Sequence, residues 1–273
     1  MHELRGGQRL RHEAQLAIIP LYIRRAHAKA LRRKENTIAF YTKDVSGVNQ
    51  LLYLLFVLCA FAPLRETFAA DNELTPLEEA VGWKLLFNGH DVAGWKNNDG
   101  KAVAAKIEDG AINVHGTGGY LLVYDQPLAD FVLKCDVKMS APECNSGVFV
   151  RTSDLADPVQ SGLEVQIYDG PLSDVQGFAA IYDLVAASRD ARHGPGQWDT
   201  LEIRCEGPMI SVKVNGQEVS TLNCDEWDQP GRRPDGTPHK FNRAIKDFAR
   251  RGYLGLQDHG HDVWFKNIKL LEL

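Results

Sequence analysis

Two runs of sequence decide the fold class of this chain: Asn145-Ser-Gly-Val-Phe-Val-Arg151 and Gly162-Leu-Glu-Val-Gln-Ile-Tyr-Asp169. Both alternate β-branched or aromatic residues with other residues at a period of two, which is typical of β-strands. Alternate side chains of a strand point to opposite sides of a sheet, so the second run has an aliphatic face and a polar face. The polar face carries Glu164, Gln166 and Tyr168.

An acid, an amide and a phenol in a row, opposite an apolar face, predict a sheet that lines a polar groove. In the first run, Phe149 and Arg151 fall on one face, opposite Val148 and Val150. Spacing alone also fits a polar face that merely meets solvent. It favours that plainer interpretation, because a fold does not assign a function.

Turn residues separate further strands along the chain. Asn215-Gly216 is the strongest hairpin signal, and Asp109-Gly110 is a second one. Thr75 followed by Pro76 predicts the start of a short helical turn. There is no long helical period and no βαβ alternation, so we predict an all-β fold, a two-sheet antiparallel jelly-roll sandwich. Residues 223–247 form an irregular loop, long enough to be functional or mobile.

The composition is that of a soluble globular protein, with 25% charged and 44% hydrophobic residues. The net charge of −5 is uneven, because residues 1–48 hold 10 Lys/Arg against 4 Asp/Glu and the rest is acidic. Phosphate binding needs clustered cations, so the acidic body argues against nucleic acid as a partner. The P-loop, Gly-x-Gly-x-x-Gly, Gly-x-Ser-x-Gly and His-Glu-x-x-His motifs are absent, which argues against nucleotide cofactors, serine esterases and zincins.

The apolar run from Leu51 to Ala62 has the length of a signal-peptide core and is too short to span a bilayer. We therefore expect a non-structural N-terminal extension at 1–47, a signal peptide at 48–70, a linker with a short helix at 71–80 and one β domain at 81–273. A basic arm on a signal anchor is the alternative for the first segment. Export with cleavage predicts a periplasmic or secreted protein without a membrane span in the mature chain.

Five cysteines are present, of which Cys59 lies in the predicted signal segment. Cys135 and Cys205 alternate with apolar residues and are expected in the core. Free buried thiols are common, and a disulfide among the four downstream cysteines stays open as the alternative.

The segment from Asp258 to Asp262 looks like a metal-binding cluster, because it holds His259 and His261. Two such histidines at the end of a strand can share an ion, but a polar turn explains His261 better. His259 falls on the same strand face as Gln257, so we expect it to join the groove. An imidazole titrates near neutrality, which suits a general acid or base.

Six motifs occur in the order typical of one family. They are Gly82-Trp-Lys-Leu-Leu-Phe-Asn-Gly-His-Asp-Val-Ala-Gly-Trp95, Asn145–Arg151, Gly162–Asp169, Ala180-Ile-Tyr182, Gly196-Gln-Trp-Asp199, and Gly255-Leu-Gln-Asp-His-Gly260 with Trp264-Phe-Lys-Asn-Ile268. Together they resemble the 3-keto-disaccharide hydrolase (3-keto-glucoside lyase/hydratase) domain family over about Val81 to Leu273. Asp199 stands where Asn is expected, and Lys266 where Arg is more common.

The resemblance implies a concanavalin-like jelly roll, exported, that acts on a small carbohydrate substrate, a glycoside oxidised at C3. A divalent ion could assist, but its ligands are unknown, and so is the oligomeric state. The site residues that match the family's motifs are Arg151, Glu164, Gln166, Asp169, Tyr182, Gln257 and His259.

A ketone at C3 acidifies the proton at C2, so a modest base can start β-elimination across C1 and C2, and water addition then completes a net hydrolysis. We expect Glu164 and His259 to be the base and the acid, in either order. Oxyanion and hydroxyl contacts would come from Arg151, Gln166 and Tyr182.

Two alternatives stay open. A non-catalytic carbohydrate-binding module would use the same sandwich without an acid/base pair. Direct glycoside hydrolysis needs two carboxylates about 5 Å apart. It is disfavoured because Glu164 and Asp169 start on opposite strand faces unless a bulge intervenes.

Overall fold

The computed structural model describes residues 70–172 and 174–273, and the predicted N-terminal extension and signal segment lie outside them. The described chain is built almost entirely of β-strands. Its two short α-helices are α1 (Pro76–Ala80) and α2 (Pro158–Ser161), and two 3-10 helices span Cys224–Glu226 and Ile245–Asp247. The strands are β1 (Lys84–Leu85), β2 (Trp95–Asn97), β3 (Lys106–Glu108), β4 (Ala111–Asn113), β5 (Leu121–Tyr124), β6 (Phe131–Met139), β7 (Asn145–Thr152), β8 (Leu163–Tyr168), β9 (Asp199–Glu206), β10 (Met209–Val214), β11 (Gln217–Asn223), β12 (Tyr253–Gln257) and β13 (Val263–Glu272).

The strands form two antiparallel sheets that pack face to face. One sheet has 8 strands in the order β11-β10-β9-β6-β13-β4-β3, with β1 also paired to β13, and the other has 5 strands in the order β2-β5-β12-β7-β8. Inward residues of both sheets, such as Val148, Val165 and Leu256 from one and Leu133 and Ile203 from the other, form a single buried core. The prediction of an all-β, two-sheet antiparallel sandwich is confirmed.

The predicted hairpins and the predicted helix start are confirmed as well. Val214 pairs with Gln217, so Asn215 and Gly216 form the two-residue turn, with φ angles of 49° and 79°. Positive φ at both positions is typical of the type I′ turn that matches strand twist. Thr75 caps α1 through a reciprocal capping box with Glu78.

The free edge of the five-stranded sheet, strand β8, is covered by the segment Ala179–Tyr182. Gln166 N donates to Ala180 O at 2.9 Å, and Ala179 N donates to Gln166 O at 2.7 Å. Tyr182 N then donates to Glu164 O at 2.8 Å. These bonds satisfy the edge of β8 and fix Tyr182 beside Glu164.

The described part of the chain contains four cysteines, and all four are free and buried. The free-thiol alternative therefore describes this structure, and Cys135 and Cys205 lie in the core as predicted. None of the helices in the described ranges is long and apolar enough to cross a membrane.

Arg151 does not share a face with Phe149, because β7 has a bulge at this point. Phe149 pairs with Gly255 and Thr152 pairs with Tyr253, so two residues of β7 oppose one residue of β12. Arg151 has a φ of 55°, in the left-handed region. A bulge of this kind re-aims the side chain and breaks the period of two.

The Arg151 side chain is consequently buried in a structural ion pair, and only 2% of it is exposed. Its guanidinium group donates to Gly207 O at 2.7 Å and to Asp130 Oδ1 at 2.9 Å. Burial raises the pKa of the inward-facing Cys205 to about 12, and the nearby Arg151 charge opposes that rise. The expectation that Arg151 contacts a substrate oxygen is therefore wrong. Its guanidinium group instead links Asp130 and Gly207, which lie at the ends of strands.

We predict that Arg151→Ala lowers the free energy of unfolding by about 3 kcal/mol, because it removes a buried guanidinium group and leaves the half-buried Gly207 carbonyl and Asp130 carboxylate without their partner. Urea denaturation at pH 7 measures this. Arg204→Ala is the matched control, since Arg204 pairs with Glu206 at 2.7 Å but its side chain is 43% exposed, and we expect a change within about 0.5 kcal/mol. Equal midpoints for the two variants would contradict the structural role.

Candidate active site

The outer face of the five-stranded sheet carries an apolar patch beside a polar groove. The patch is a small buried cluster of Leu121, Val123 and Phe149. Cross-strand pairing sets Phe149 beside Glu164, and Gly147 beside Gln166. The polar groove therefore begins where β7 meets β8. We define it by the residues that line it: Tyr120, Glu164, Gln166, Tyr182, Lys240 and Gln257.

Glu164 lies over the backbone of β7 because position 147 is a glycine. A Cβ atom at Gly147 would lie 2.3 Å from Glu164 Oε1, far inside van der Waals contact. The carboxyl group thus takes the space that another side chain would fill, and Glu164 is only 5% exposed. Pairing of Leu256 with Val148 brings Gln257 to the other side of this gap.

Two amides flank the Glu164 carboxyl group. In the orientation that satisfies both ends of its amide, Gln166 Nε2 donates to Glu164 Oε1 at 3.1 Å and to Ser146 O at 3.2 Å. Gln257 Nε2 donates to Tyr120 Oη at 2.6 Å. Gln257 Oε1 is buried and has no partner among the described residues. Buried polar groups are normally hydrogen-bonded, so this oxygen can accept from a bound hydroxyl group.

The loop 223–247 delivers Lys240 to the groove. Lys240 Nζ lies 4.2 Å from the centroid of the Tyr182 ring, which is a cation–π contact. Asp183 accepts from Lys240 N and pairs with Arg233 at 3.2 Å. Behind Lys240, the loop is anchored by edge-on and tilted aromatic contacts among Trp227, His239, Phe241 and Phe248.

The environment of the groove keeps the pKa of the Glu164 carboxyl group close to neutral pH. Burial raises the pKa of Glu164 to about 7, while the Lys240 charge and the Gln257 amide oppose that rise. Burial lowers the pKa of Lys240, and the Glu164 and Asp183 carboxylates oppose this. Burial also raises the pKa of Tyr182, with a further contribution from the Glu164 charge. A carboxyl group that exchanges protons near pH 7 therefore lies among an ammonium group and a protonated phenol.

The donor set of the groove does not fit a tightly held divalent ion. Glu164 is the carboxylate that lines it, and its neighbours are amides, phenols and an ammonium group. Across residues 70–172 and 174–273, no three His, Cys, Asp or Glu side chains come together as ligands would. Divalent ions prefer several charged oxygen or imidazole ligands, and the groove offers a single carboxylate.

The sandwich and its groove coincide with one known domain. The model of the 3-keto-alpha-glucoside-1,2-lyase-like domain matches residues 82–271. The chain belongs to this family. Every residue of the polar groove falls within the matched range.

Relatives of this domain support a carbohydrate-active, hydrolase-like protein. The chain is 25% identical over 230 residues to a 3-keto-disaccharide hydrolase of Bacteroides thetaiotaomicron, covering 70% of this chain and 79% of that protein. Among solved structures, it is similar to two candidate glycosyl hydrolases of Parabacteroides distasonis. One has a TM-score of 0.63 and 28% identity, covering 75% of this chain and 100% of the other. The second has a TM-score of 0.61 and 27% identity, covering 70% and 99%.

The structure brings four of the seven sequence-predicted site residues into the groove: Glu164, Gln166, Tyr182 and Gln257. It does not bring Asp169 there. Asp169 follows the last residue of β8 and forms an ion pair with Arg192 at 2.8 Å. Like the buried Arg151, Asp169 therefore forms an ion pair outside the groove and does not line it.

His259 lies at the rim rather than in the groove. Strand β12 ends at Gln257, so its alternation does not extend to His259, which is exposed. The rings of His259 and His261 are parallel with centroids 6.3 Å apart, and Asn145 N donates to His261 Nδ1 at 3.3 Å. Among the described contacts, none joins His259 to Glu164.

Sequence reasoning missed Tyr120 and Lys240. Tyr120 immediately precedes β5, and burial raises its pKa to about 12, with a contribution from the Glu164 charge. Lys240 lies in an irregular loop that has no period from which to infer a face. Its one signal was the length of that loop, which is typical of functional segments.

We predict that Glu164→Gln raises the free energy of unfolding relative to wild type, and that this gain grows as the pH rises. The pKa of Glu164 rises from 4.5 to about 7 on folding, so the wild type keeps its full stability below pH 4.5 and loses some as the pH rises through 7. Relative to wild type, the variant should gain about 3 kcal/mol of unfolding free energy between pH 4 and pH 8.

Urea denaturation across that pH range measures the gain. The exposed Glu218 provides the control, and Glu218→Gln should track the wild type at every pH. A constant difference between Glu164→Gln and wild type would show that Glu164 is not held neutral by burial.

Proposed function

We propose that this protein cleaves 3-keto-glycosides by β-elimination across C1 and C2, followed by water addition that completes net hydrolysis. The observation that carries the proposal is the buried Glu164 carboxyl group, whose pKa is raised to about 7 beside the Lys240 ammonium group. A base with a pKa near the working pH is best matched to removing a moderately acidic carbon-bound proton. The family membership over residues 82–271 supports the substrate class.

Glu164 takes the role of the base. The ketone at C3 acidifies the proton at C2, and the ionised Glu164 carboxylate removes it. The electron pair moves to form an enediolate, and then the C1–C2 double bond as the glycosidic oxygen leaves C1. Gln166 holds Glu164 Oε1 at 3.1 Å and so orients the carboxylate.

Lys240 and Tyr182 take the remaining roles. The Lys240 charge can stabilise the negative charge that develops on the C3 oxygen, in a site that is largely withdrawn from water. The pKa of Tyr182 is raised above 10, so its phenol is protonated at neutral pH and can donate to the departing oxygen. Water then adds its hydroxyl to C1 while its remaining proton returns to the Tyr182 phenolate, and protonated Glu164 returns the proton to C2.

A carbohydrate-binding module is the second candidate function. The buried Gln257 acceptor without a partner and the aromatic Tyr120 favour ligand binding whether or not chemistry follows. Direct glycoside hydrolysis through Glu164 and Asp169 has less support, because Asp169 lies past the end of β8 and is paired with Arg192.

We predict that the protein turns over 3-keto-glucosides and that both the glycal and the leaving group are released. The kcat/KM should rise as the pH increases through about 7, because the free enzyme needs ionised Glu164. Glu164→Gln should lower kcat by about 10³-fold, which is typical for loss of a general base. Binding of the sugar should persist in this variant, as measured by calorimetry.

Two matched variants separate the groove from its rim. Lys240→Met keeps the aliphatic stem over Tyr182 but removes the charge, so kcat should fall by about 10²-fold. His259→Ala, at the exposed rim, should change kcat less than threefold, an order-of-magnitude bound for a side chain outside the reacting site. Binding without turnover of any oxidised or unoxidised glycoside would favour the binding module. A larger loss from His259→Ala than from Lys240→Met would restore the imidazole as the acid.

We also propose export, on the support of the apolar run Leu51 to Ala62. Expression of the full chain in a bacterium with a periplasm should yield a mature protein outside the cytoplasm that begins near Asp71. N-terminal sequencing after fractionation measures this. Recovery of the intact N-terminus in the cytoplasmic fraction would count against export.

A further inference from the structure

One carboxylate joins the loop that carries Lys240 to the segment that carries Tyr182. Asp183 Oδ2 accepts from Lys240 N, and Asp183 Oδ1 accepts from Arg233 Nη2 at 3.2 Å. Arg233 Nη2 also donates to the Asp183 carbonyl oxygen at 2.8 Å. Both oxygens of the carboxylate are therefore occupied, and each of them holds a different part of the loop.

Backbone hydrogen bonds close the turn between these two parts of the loop. Arg233 N donates to Thr237 O at 2.8 Å, and His239 N donates to Gly231 O at 3.0 Å. The chain thus turns back on itself between Arg233 and Lys240, so that Asp183 reaches both.

The backbone at Asp183 lies in the left-handed region, with a φ of 58°. Aspartate tolerates this conformation better than most residues, but it still costs free energy and persists where neighbouring contacts hold it. With this turn of the backbone, two successive residues meet the two ends of Lys240. The Tyr182 ring centroid lies 4.2 Å from Lys240 Nζ, and the Asp183 carboxylate accepts from Lys240 N.

The charge of Asp183 has a different part from that of Glu164. The charged and titratable groups around Lys240 are Glu164 from β8, Tyr182 and Asp183 from the neighbouring segment, and Arg233 and His239 from its own loop. Burial lowers the pKa of Lys240, and the Glu164 and Asp183 charges oppose this. Glu164 becomes neutral when it takes the C2 proton, whereas Asp183 takes part in no step of the proposed reaction.

The structure assigns to Asp183 the role of a positioning residue, which holds the Lys240 ammonium group over Tyr182 and keeps it charged while Glu164 changes its own charge. This inference rests on the proposed function, because Lys240 is the group that stabilises the developing charge on the C3 oxygen. Asp183 acts through Lys240 and is not assigned a contact with the reacting atoms.

Asp183→Asn separates the charge from the geometry, because an amide oxygen still accepts from Lys240 N and asparagine tolerates a left-handed backbone. We expect the pKa of Lys240 to fall by about 1 in this variant. NMR titration of lysine labelled with ¹³C at Cε, without substrate, measures this, and Lys240→Met assigns the signal. The alkaline limb of kcat/KM on 3-keto-glucosides should move to lower pH with it, a fall of about tenfold on that limb.

Asp169→Asn is the matched control. The side chains of the Asp169–Arg192 and Asp183–Arg233 pairs are all between 15% and 20% exposed, so the two variants should lose similar stability in thermal melting. Only Asp183→Asn should move the titration of Lys240.

Arg233→Gln tests the same charge from the other side. It removes the counter-charge of Asp183, so the pKa of Lys240 should rise in this variant instead of falling. A loss of structure alone would move both variants in the same direction. This variant also decides the question if Asp183→Asn does not fold.

The outcomes separate the positioning role from the reaction. An unchanged Lys240 pKa in folded Asp183→Asn would overturn the role of Asp183, and so would an unchanged or lowered pKa in Arg233→Gln. An equal shift in Asp169→Asn would also overturn it. If the pKa of Lys240 moves as expected but wild type turns over no 3-keto-glucoside, the proposed function fails while the control of the Lys240 charge by Asp183 stands.

Discussion

The desolvation of one carboxyl group governs this site. Glu164 is buried on a sheet face because Gly147, on the neighbouring strand, leaves a gap that its carboxyl group fills. Burial penalises the charged form, and this is the first cause of the raised pKa. Burying this carboxyl group therefore lowers the stability of the fold at neutral pH, a cost that an apolar core residue would not bring. Such a cost is typical of positions kept for chemistry rather than stability.

The two faces of the five-stranded sheet have different roles in creating this environment. The inner face of the five-stranded sheet packs on the larger sheet, so the outer face is free to carry function on a rigid support. Polar residues on strands, such as Gln166 and Gln257, set the floor of the groove. The loops then add Tyr182 and Lys240 from the side, each held by backbone hydrogen bonds.

The strand alternation that predicts Glu164 and Gln166 holds because β8 is regular over its whole length. The same rule fails at Arg151, where a left-handed residue and a bulge interrupt the period, and at His259, which lies beyond the end of β12. Periodicity describes residues inside regular elements only. Lys240 could not be inferred from it, because tertiary contacts with Asp183 and Tyr182 alone decide where that loop residue lies.

The pairing of Ala179–Tyr182 with β8 has a consequence for how this domain can diversify. An uncovered strand edge invites association with other chains, so the segment that positions Tyr182 also guards against aggregation. Sequence change there would endanger solubility as well as chemistry. Sequence variation is therefore expected to accumulate in loops that do not cover a strand edge, while the segment 179–182 stays fixed.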